Sequence, residues 1–403
     1  MPEAVIVATA RSPIGRAFKG SLKDVRPDDL LATIVRAVLD KVPDLDRATI
    51  DDIYVGAADN SGEHGTNIAR VVAVMLGLDG VPGTSVNRFC ASSVQTTRMA
   101  FHAIKAGEGD VFISAGVECV SRYMSLQDGE RALNPVFAEA RARTEATRQS
   151  NAPWTDPRHD GTVPDIYIAM GQTAENVANL RGIGRLEQDR WGVESQNRAE
   201  KAIADGFFAR EITPVTTPDG TVVSADDGPR PGTTLEKVQA LQPVFRAGGT
   251  VTAGNACPLN DGAAALVVMS DTRAQELGLT PLARIVSTGV SALSPEIMGL
   301  GPVEATRQAL GRAGMSVSDI DLFEINEAFA AQVLPCTEDL GIDLAKLNVH
   351  GGAIALGHPF GMTGARIATT LINGLQTRDA QFGLETMCVA GGQGMAIIFE
   401  RLS

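Results

Sequence analysis

The sequence predicts an α/β protein with a duplicated, layered fold: two α/β halves related by a pseudo-twofold axis, and a mostly helical loop subdomain inserted between them. Three observations predict it. Short runs rich in Val and Ile alternate with segments of helical periodicity towards both ends of the chain, the pattern of a layered domain with helices on both sheet faces. The order of elements in the first part returns in the last part, which makes an internal duplication the economical explanation. From Ser121 to about Gly249 the texture differs, with denser charge, proline and glycine and few strands. The predicted organisation is therefore an N-terminal half over 1–120, an inserted subdomain over 121–249 and a C-terminal half over 250–403.

Taken in order, Glu3 to Ala10 reads as a buried strand ended by Arg11-Ser12-Pro13-Ile14-Gly15. Pro27 opens a helix with Asp28 and Asp29 in its first turn and Leu30, Leu31, Ile34, Val35, Val38 and Leu39 on one face. Asp52–Gly56 is a second strand, and a helical stretch around Thr66 to Leu76 follows. Ser85 to Ile104 reads as strand, tight corner and helix, with Cys90 at the corner, Ser92 and Ser93 as capping residues, and Val94, Met99, Ala103 and Ile104 on the buried side. Asp110–Gly116 supplies the next strand. Within the insertion, Thr173 to Asn179 and Gln188 to Gly206 read as helices separated by long loops, and such loops on a rigid scaffold commonly line substrate sites. The pattern then repeats. Pro302 opens a helix through Leu310, Asp319 to Ile325 mirrors the linker and strand ending at Val55, Leu347 to Leu375 matches the unit around Cys90, and Glu385 to Phe399 matches the strand at Val111.

Composition excludes several functions. A formal net charge of -13 over 403 residues, with no Lys/Arg run, argues against nucleic acid, whose binding requires neutralised phosphates. No stretch approaches the roughly 18 apolar residues that a membrane helix needs. The start Met-Pro-Glu lacks the basic and apolar regions of a secretion signal, and the end Arg-Leu-Ser is no peroxisomal address, so a cytoplasmic protein is expected. Five widely spaced cysteines suit free thiols in a reducing compartment. His350 and His358 are eight apart and no cysteine pair has ligand spacing, so no metal is expected. Gly391-Gly392-Gln393-Gly394 follows no opening βαβ unit and is no dinucleotide fingerprint.

Chemistry enters through the duplication, because equivalent loops of the two halves can meet across the pseudo-twofold axis. Cys90 at a helix start lies in a field that favours the thiolate, although a lone intracellular cysteine is more often a small buried hydrophobe. The matching loops of the second half carry Asn326, His358 and Cys388. Singly, these read more readily as a helix cap, a structural histidine and a core thiol. Four such groups at matching places point to one site.

Along nearly its whole length the chain resembles the thiolase family. The motifs that carry the resemblance are Asn87-Arg88-Phe89-Cys90-Ala91-Ser92-Ser93, Gly254-Asn255-Ala256-Cys257-Pro258-Leu259-Asn260-Asp261-Gly262, Asn326-Glu327-Ala328-Phe329-Ala330, the Gly351–Gly364 run around His358, and Cys388-Val389-Ala390-Gly391-Gly392. The resemblance implies that Cys90 takes an acyl group from a CoA thioester while His358 accepts its proton, and that Cys388 is the acid/base for the second substrate. It implies that a water positioned by Asn326 stabilises a thioester enolate together with the His358 ring, and that the backbone N–H groups of Cys90 and Ala390 form an oxyanion hole. Such donors are worth on the order of 3 kcal/mol each. It also implies that CoA lies on the insertion and the Gly254 loop, with Arg230 near its phosphates and Ala253, Ala256, Cys257, Ala328 and Phe329 among the contacts. Cys257 stands where many relatives carry a serine. Met170 and Met298 match methionines that border the acyl pocket of short-chain members, but Ala169 replaces the histidine usual there, Arg88 resembles the β-oxidation branch, and 121–165 departs from the short-chain biosynthetic type.

The implied reaction is 3-oxoacyl-CoA + CoA ⇌ acyl-CoA + acetyl-CoA, leaning to a degradative 3-ketoacyl-CoA thiolase, with a short-chain acetyl-CoA acetyltransferase as the alternative. CoA is then substrate and product, no resident cofactor is expected, and the partners are CoA thioesters and further copies of the chain in a homodimer or homotetramer. Two rivals are more distant. A condensing enzyme for carrier-protein thioesters typically pairs its nucleophile with two histidines or a His and Asn, unlike Cys388. A non-catalytic CoA- or lipid-binding protein has no reason to keep Cys90, Asn326, His358 and Cys388 together.

Overall fold

The computed structural model describes residues 2–123 and 133–403. Residues 124–132 of the divergent 121–165 segment lie outside the described residues. One mixed sheet runs, edge to edge, through Leu322–Ile325, Phe382–Val389, Gln393–Arg401, Ala283–Ala292, Ala4–Arg11, Asn260–Ser270, Val111–Cys119, Asp52–Gly56 and Gly83–Val86. Its two ends follow one rule. In the first half, Ala4–Arg11 pairs antiparallel with Asn260–Ser270, which pairs antiparallel with Val111–Cys119, which is parallel to Asp52–Gly56 and so on to Gly83–Val86. In the second, Ala283–Ala292, Gln393–Arg401, Phe382–Val389 and Leu322–Ile325 repeat those senses, and a parallel bridge from Phe323 to Leu347 stands for the last strand. The half-sheets join where Val5 faces Arg284 and Ile6 faces Ala283.

Period-two alternation decides the layers, because successive side chains of a strand face opposite sides. Ala264, Leu266 and Val268 face inward, with Met395, Ile397 and Phe399 from the other half, onto the helices Ser92–Ala106 and Thr363–Thr377. Ala263, Ala265 and Val267 face outward onto Pro27–Asp40 and Ile68–Met75. Ala396 and Ile398 do the same towards Gly301–Ala313 and Ala330–Leu340. The result is five layers, with the nucleophile helix and its counterpart in the middle. Each buried Val, Leu, Ile or Phe contributes about 1.5–3 kcal/mol.

The boundary at 250 needs correction. Asn260–Ser270 is buried along its whole length in the first half-sheet, so the seam falls between Ser270 and Ala283. A central strand apolar on both faces carries no mark of which half it serves, and the sequence reading merged its counterpart, Gln393–Arg401, with Phe382–Val389. The capping role of Ser92 and Ser93 also changes. Ser92 Oγ accepts from Arg88 N–H at 2.9 Å, while Ser93 Oγ accepts from Ala365 N–H at 2.9 Å in the first turn of the opposite central helix. Met99 is only partly buried.

The insertion carries helices Ala138–Ser150, Met170–Arg181, Arg185–Ala204 and Leu235–Gln239, with a small ladder between Val215–Thr216 and Val222–Val223. It is tied to the second half by buried Glu327, which accepts from Trp191 Nε1 at 3.1 Å, Ser195 Oγ at 2.6 Å, Asn348 Nδ2 at 2.9 Å and Ile354 N–H at 3.1 Å. Among the described residues no helix is long and apolar enough to cross a membrane.

Candidate active site

Cys90 lies in a 3-10 turn, Phe89–Ala91, between the edge strand Gly83–Val86 and the central helix. The turn is strained at Phe89, whose φ of 46° is uncommon for any residue but glycine. Three side-chain bonds hold it. Phe89 N–H donates to Asn87 Oδ1 at 2.8 Å, and Ser92 Oγ donates to Phe89 O at 2.7 Å while accepting from Arg88 N–H. The motif residues around Cys90 thus fix the corner that presents the thiol.

The second half closes on that corner from two sides. Glycines permit the approach of the His358 loop: a Cβ on Gly116 would lie 2.0 Å from the Gly361 carbonyl oxygen, and one on Gly364 would lie 2.5 Å from the Val94 nitrogen. Glu118 locks it, its carboxylate accepting from Gly361 N–H at 2.7 Å and from Ala58 N–H at 2.8 Å. From the other side comes the turn after Phe382–Val389, whose Ala390 amide is close enough to the Cys90 sulfur to lower its pKa.

His358 is buried, and its surroundings choose one tautomer. Thr363 Oγ1 spends its only proton on Pro359 O at 2.8 Å, so at 2.7 Å from His358 Nδ1 it accepts. Asn326 Nδ2, which can only donate, lies 3.2 Å from Nε2. Both contacts put the ring proton on Nδ1 and leave Nε2 as a base. Burial, with Arg366 nearby, pushes the ring's pKa down to about 3, so it rests neutral. Asn326 follows the strand Leu322–Ile325, its N–H donating to Thr386 O at 3.0 Å, and its Oδ1 has no partner among the described residues. The helix-cap reading of Asn326 fails, since the next helix starts at Ala330 without a side-chain cap.

The helix start does not make Cys90 a resting thiolate. Burial pushes its pKa up to about 12, and the amide N–H groups of Ala390 and Cys90 offset only part of this. The thiolate expectation therefore gives way to a neutral thiol that needs a base. Burial likewise holds Cys388 well above the ordinary thiol range, with the neighbouring Cys90, Cys336 and Cys257 acting in the same sense. The Cys388 sulfur lies 3.6 Å from the side-chain amide of Gln332. With that amide oriented to satisfy both ends, Gln332 donates to Asn326 O at 3.2 Å and accepts from Val333 N–H at 3.1 Å. All five cysteines are free thiols.

The predicted substrate residues form two groups. Ala256, Ala328, Phe329 and Met298 form one apolar cluster with Cys388, and Met170 and Cys257 pack against it. Its frame is the Ala256–Phe329 bridge and a bond from Cys257 N–H to Ala328 O at 3.1 Å. Arg230 and Ala253 line a separate cleft of about 260 Å³ with Gln196, Lys237 and Gly254. Sequence reasoning missed Thr363, Gln332, Glu118 and Phe245, the last set edge-on to Phe329 at 6.0 Å. Thr363 stood inside the motif around His358 and was open to discovery. The other three act through contacts distant in sequence.

Comparisons with known proteins agree along the chain. The family model described as "Thiolase, N-terminal domain" matches residues 4–272, and "Thiolase, C-terminal domain" matches residues 279–401, on either side of the structural seam. The 3-oxoadipyl-CoA/3-oxo-5,6-dehydrosuberyl-CoA thiolase of Escherichia coli strain K12 is 43% identical over 420 residues, covering 100% of both chains. The 3-ketoacyl-CoA thiolase of Bacillus subtilis strain 168 is 42% identical over 413 residues, covering 99% of this chain and 100% of its own. Among solved structures, the Bacillus anthracis acetyl-CoA acetyltransferase superposes with a TM-score of 0.86 at 37% identity, covering 100% of this chain and 99% of that one.

Proposed function

Because this chain belongs to the thiolase family and is an acyltransferase acting on CoA thioesters, we propose that Cys90 is its nucleophile in the thiolysis of 3-oxoacyl-CoA. One observation carries the reading: the Ala390 amide of the second half acts on the thiol of the first, from the turn that directly follows the strand bearing Cys388. In the degradative direction the Cys90 sulfur attacks the C3 carbonyl as its proton passes to His358 Nε2. The Ala390 and Cys90 amides stabilise the oxyanion. The C2–C3 bond then breaks, and the acetyl-CoA enolate, its oxygen beside Asn326 and the protonated His358, takes a proton from Cys388. The CoA thiol next gives its proton to Cys388 and attacks the acyl-Cys90 thioester. Acyl-CoA leaves, and Cys90 recovers its proton from His358.

CoA is substrate and product in this scheme, and no resident cofactor is required. Its phosphates fit the cleft at Arg230 and Lys237, and the acyl group fits the cluster of Met170, Met298, Phe329 and Cys257. The degradative lean is supported by relatives that carry the name 3-ketoacyl-CoA thiolase. The enzyme is proposed to be cytoplasmic and to work as a homodimer or homotetramer, which light scattering on purified protein tests.

The direct test is intact-mass analysis with substrate. Cys90→Ser forms no acyl-enzyme, and a normal adduct on that variant would sink the assignment. Cys388→Ser acylates yet loses thiolysis and condensation, so full turnover there would remove the second thiol from the scheme. Comparing kcat/KM for acetoacetyl-CoA with a ten-carbon 3-oxoacyl-CoA separates the two substrate readings. A fitting apolar pocket discriminates by about 1–3 kcal/mol per methylene, and activity confined to acetoacetyl-CoA would make the short-chain reading correct.

A further inference from the structure

We propose that Gln393, held by Arg88, is a positioning residue for the Ala390 amide at the reacting sulfur, an inference that rests on the reading of Cys90 as nucleophile. Arg88 Nη1 donates to Gln393 Oε1 at 2.8 Å, and Gln393 Nε2 donates to Ala390 O at 3.2 Å. Arg88 stands two residues before Cys90 in the first half, and Gln393 opens the strand that follows the Ala390 turn in the second. A single primary amide thus joins the two loops that meet at the thiol. An amide suits the place, because its oxygen accepts from a guanidinium while its NH2 donates to a carbonyl.

The turn needs such a tie. Gly391 and Gly392, at φ of 75° and 77°, occupy the region that glycine enters freely. Gly392 is pinned, since its carbonyl accepts from Leu293 N–H at 2.7 Å and a Cβ there would lie 2.2 Å from Leu293 O. Gly391 is looser, with no atom of the described residues beyond its chain neighbours within 3.4 Å of the position a Cβ would take. The Ala390–Gly391 peptide is therefore held by what grips its carbonyl, which is Gln393. Its orientation sets the preceding peptide, which carries the Ala390 amide that lowers the Cys90 pKa. Arg88 is itself anchored through its backbone N–H on Ser92 Oγ, so the tie connects two fixed points. An oxyanion donor acts only if already aimed where charge develops, and a 1 Å error costs roughly 100-fold.

The test uses four variants of the full chain. Gln393→Met and Arg88→Met remove the tie with little change of shape. Arg88→Lys keeps a donor for Oε1. Gln393→Glu still accepts from Arg88 but sets a carboxylate oxygen against the Ala390 carbonyl. Rapid-quench intact mass gives the rate of acetyl-enzyme formation from acetyl-CoA, steady-state thiolysis gives kcat and KM, and a thermal melt reports folding. The expected result is that Gln393→Met and Arg88→Met slow acylation and kcat by roughly 10- to 100-fold, with KM within about twofold and an unchanged melt. Arg88→Lys recovers most of the rate, and Gln393→Glu is slowest. Wild-type acylation rates in both methionine variants would overturn the inference, as would a loss confined to KM. If Gln393→Met does not fold, the contrast between Arg88→Met and Arg88→Lys decides. Failure of the underlying reading looks different, because the wild-type enzyme itself would then carry no acetyl group on Cys90.

Discussion

The pair Cys90 and His358 rests as thiol and imidazole, because burial raises the first to about 12 and lowers the second to about 3. The sulfur's proton therefore moves only as the sulfur attacks. This sets a pH signature for the free enzyme: below its pKa the thiolate fraction rises tenfold per pH unit, so alkylation of Cys90 by iodoacetamide should climb without a plateau from pH 6 to 9. A plateau starting near pH 6 would reveal a preformed thiolate–imidazolium pair instead. Thr363 yields a second prediction, since its hydroxyl holds Nδ1 and hence the free lone pair on Nε2. Thr363→Val should lower kcat by roughly tenfold or more, part of the 10²–10⁴ that a positioned base contributes, while Thr363→Ser stays near wild type. Equal rates for the two would show that the ring needs no such anchor. Cys90, Asn326, His358 and Cys388 could be proposed from the sequence because matching loops and motifs set them side by side, not because any one residue type declared a role. Thr363 and Gln332 were not, since a hydroxyl or amide takes its role wholly from its partners.

The central helices are built to serve each other. Ser93, one turn past the nucleophile, spends its hydroxyl on Ala365 N–H of the opposite helix, satisfying a donor that helix cannot pair internally. Removing such a cap costs about 1 kcal/mol. Ser93→Ala should therefore lower the unfolding midpoint in urea while leaving Cys90 able to acylate, and an unchanged midpoint would mean that another group serves the amide. Gly116 is less forgiving. Its missing Cβ is what admits the Gly361 carbonyl, so Gly116→Ala should cost about 1–3 kcal/mol by overpacking and lower kcat by displacing the His358 loop. Activity and stability equal to wild type would show that the loop can yield. Strands and helices were legible through their periodicities, and the motif glycines marked close approach. The partner of each approach was not, because Gly116 meets Gly361 and Glu118 bonds its amide across more than 240 residues, a distance at which local patterning carries no information.

At the scale of the molecule, duplication was readable because each half must bury the same faces, whereas the seam was misplaced by a strand that both halves could equally claim. The same layering buries charge at the centre. Glu324 and Glu385 stand side by side on parallel strands, and Arg366 on the central helix acts on both, with its Nε and Nη1 and both Glu385 carboxylate oxygens unpartnered among the described residues. Burial pushes Glu324 up to about 8 and Glu385 well above its ordinary value, both partly opposed by Arg366. Glu118 is pushed by burial to about 7. The sign follows from proton counts: an unfolded glutamate titrates near 4.5, so between there and about pH 8 the folded chain holds more protons and loses stability as pH rises. Buried His64, His350 and His358, lowered to between about 3 and 4, act oppositely, but only up to the unfolded histidine value of 6.5. In the window from about pH 7.5 to 8, where the unfolded histidines have lost most of their protons, the glutamates dominate. Unfolding free energy should fall across it, by up to about 1.4 kcal/mol per pH unit for each glutamate kept protonated. Glu385→Gln removes one such proton while Glu324 stays beside Arg366, so its urea-unfolding slope against pH should be shallower than that of wild type, whatever its absolute stability. Equal slopes would mean that Glu385 is ionised in the folded protein and paired to Arg366, making the centre of the fold an ion pair instead of a store of protons.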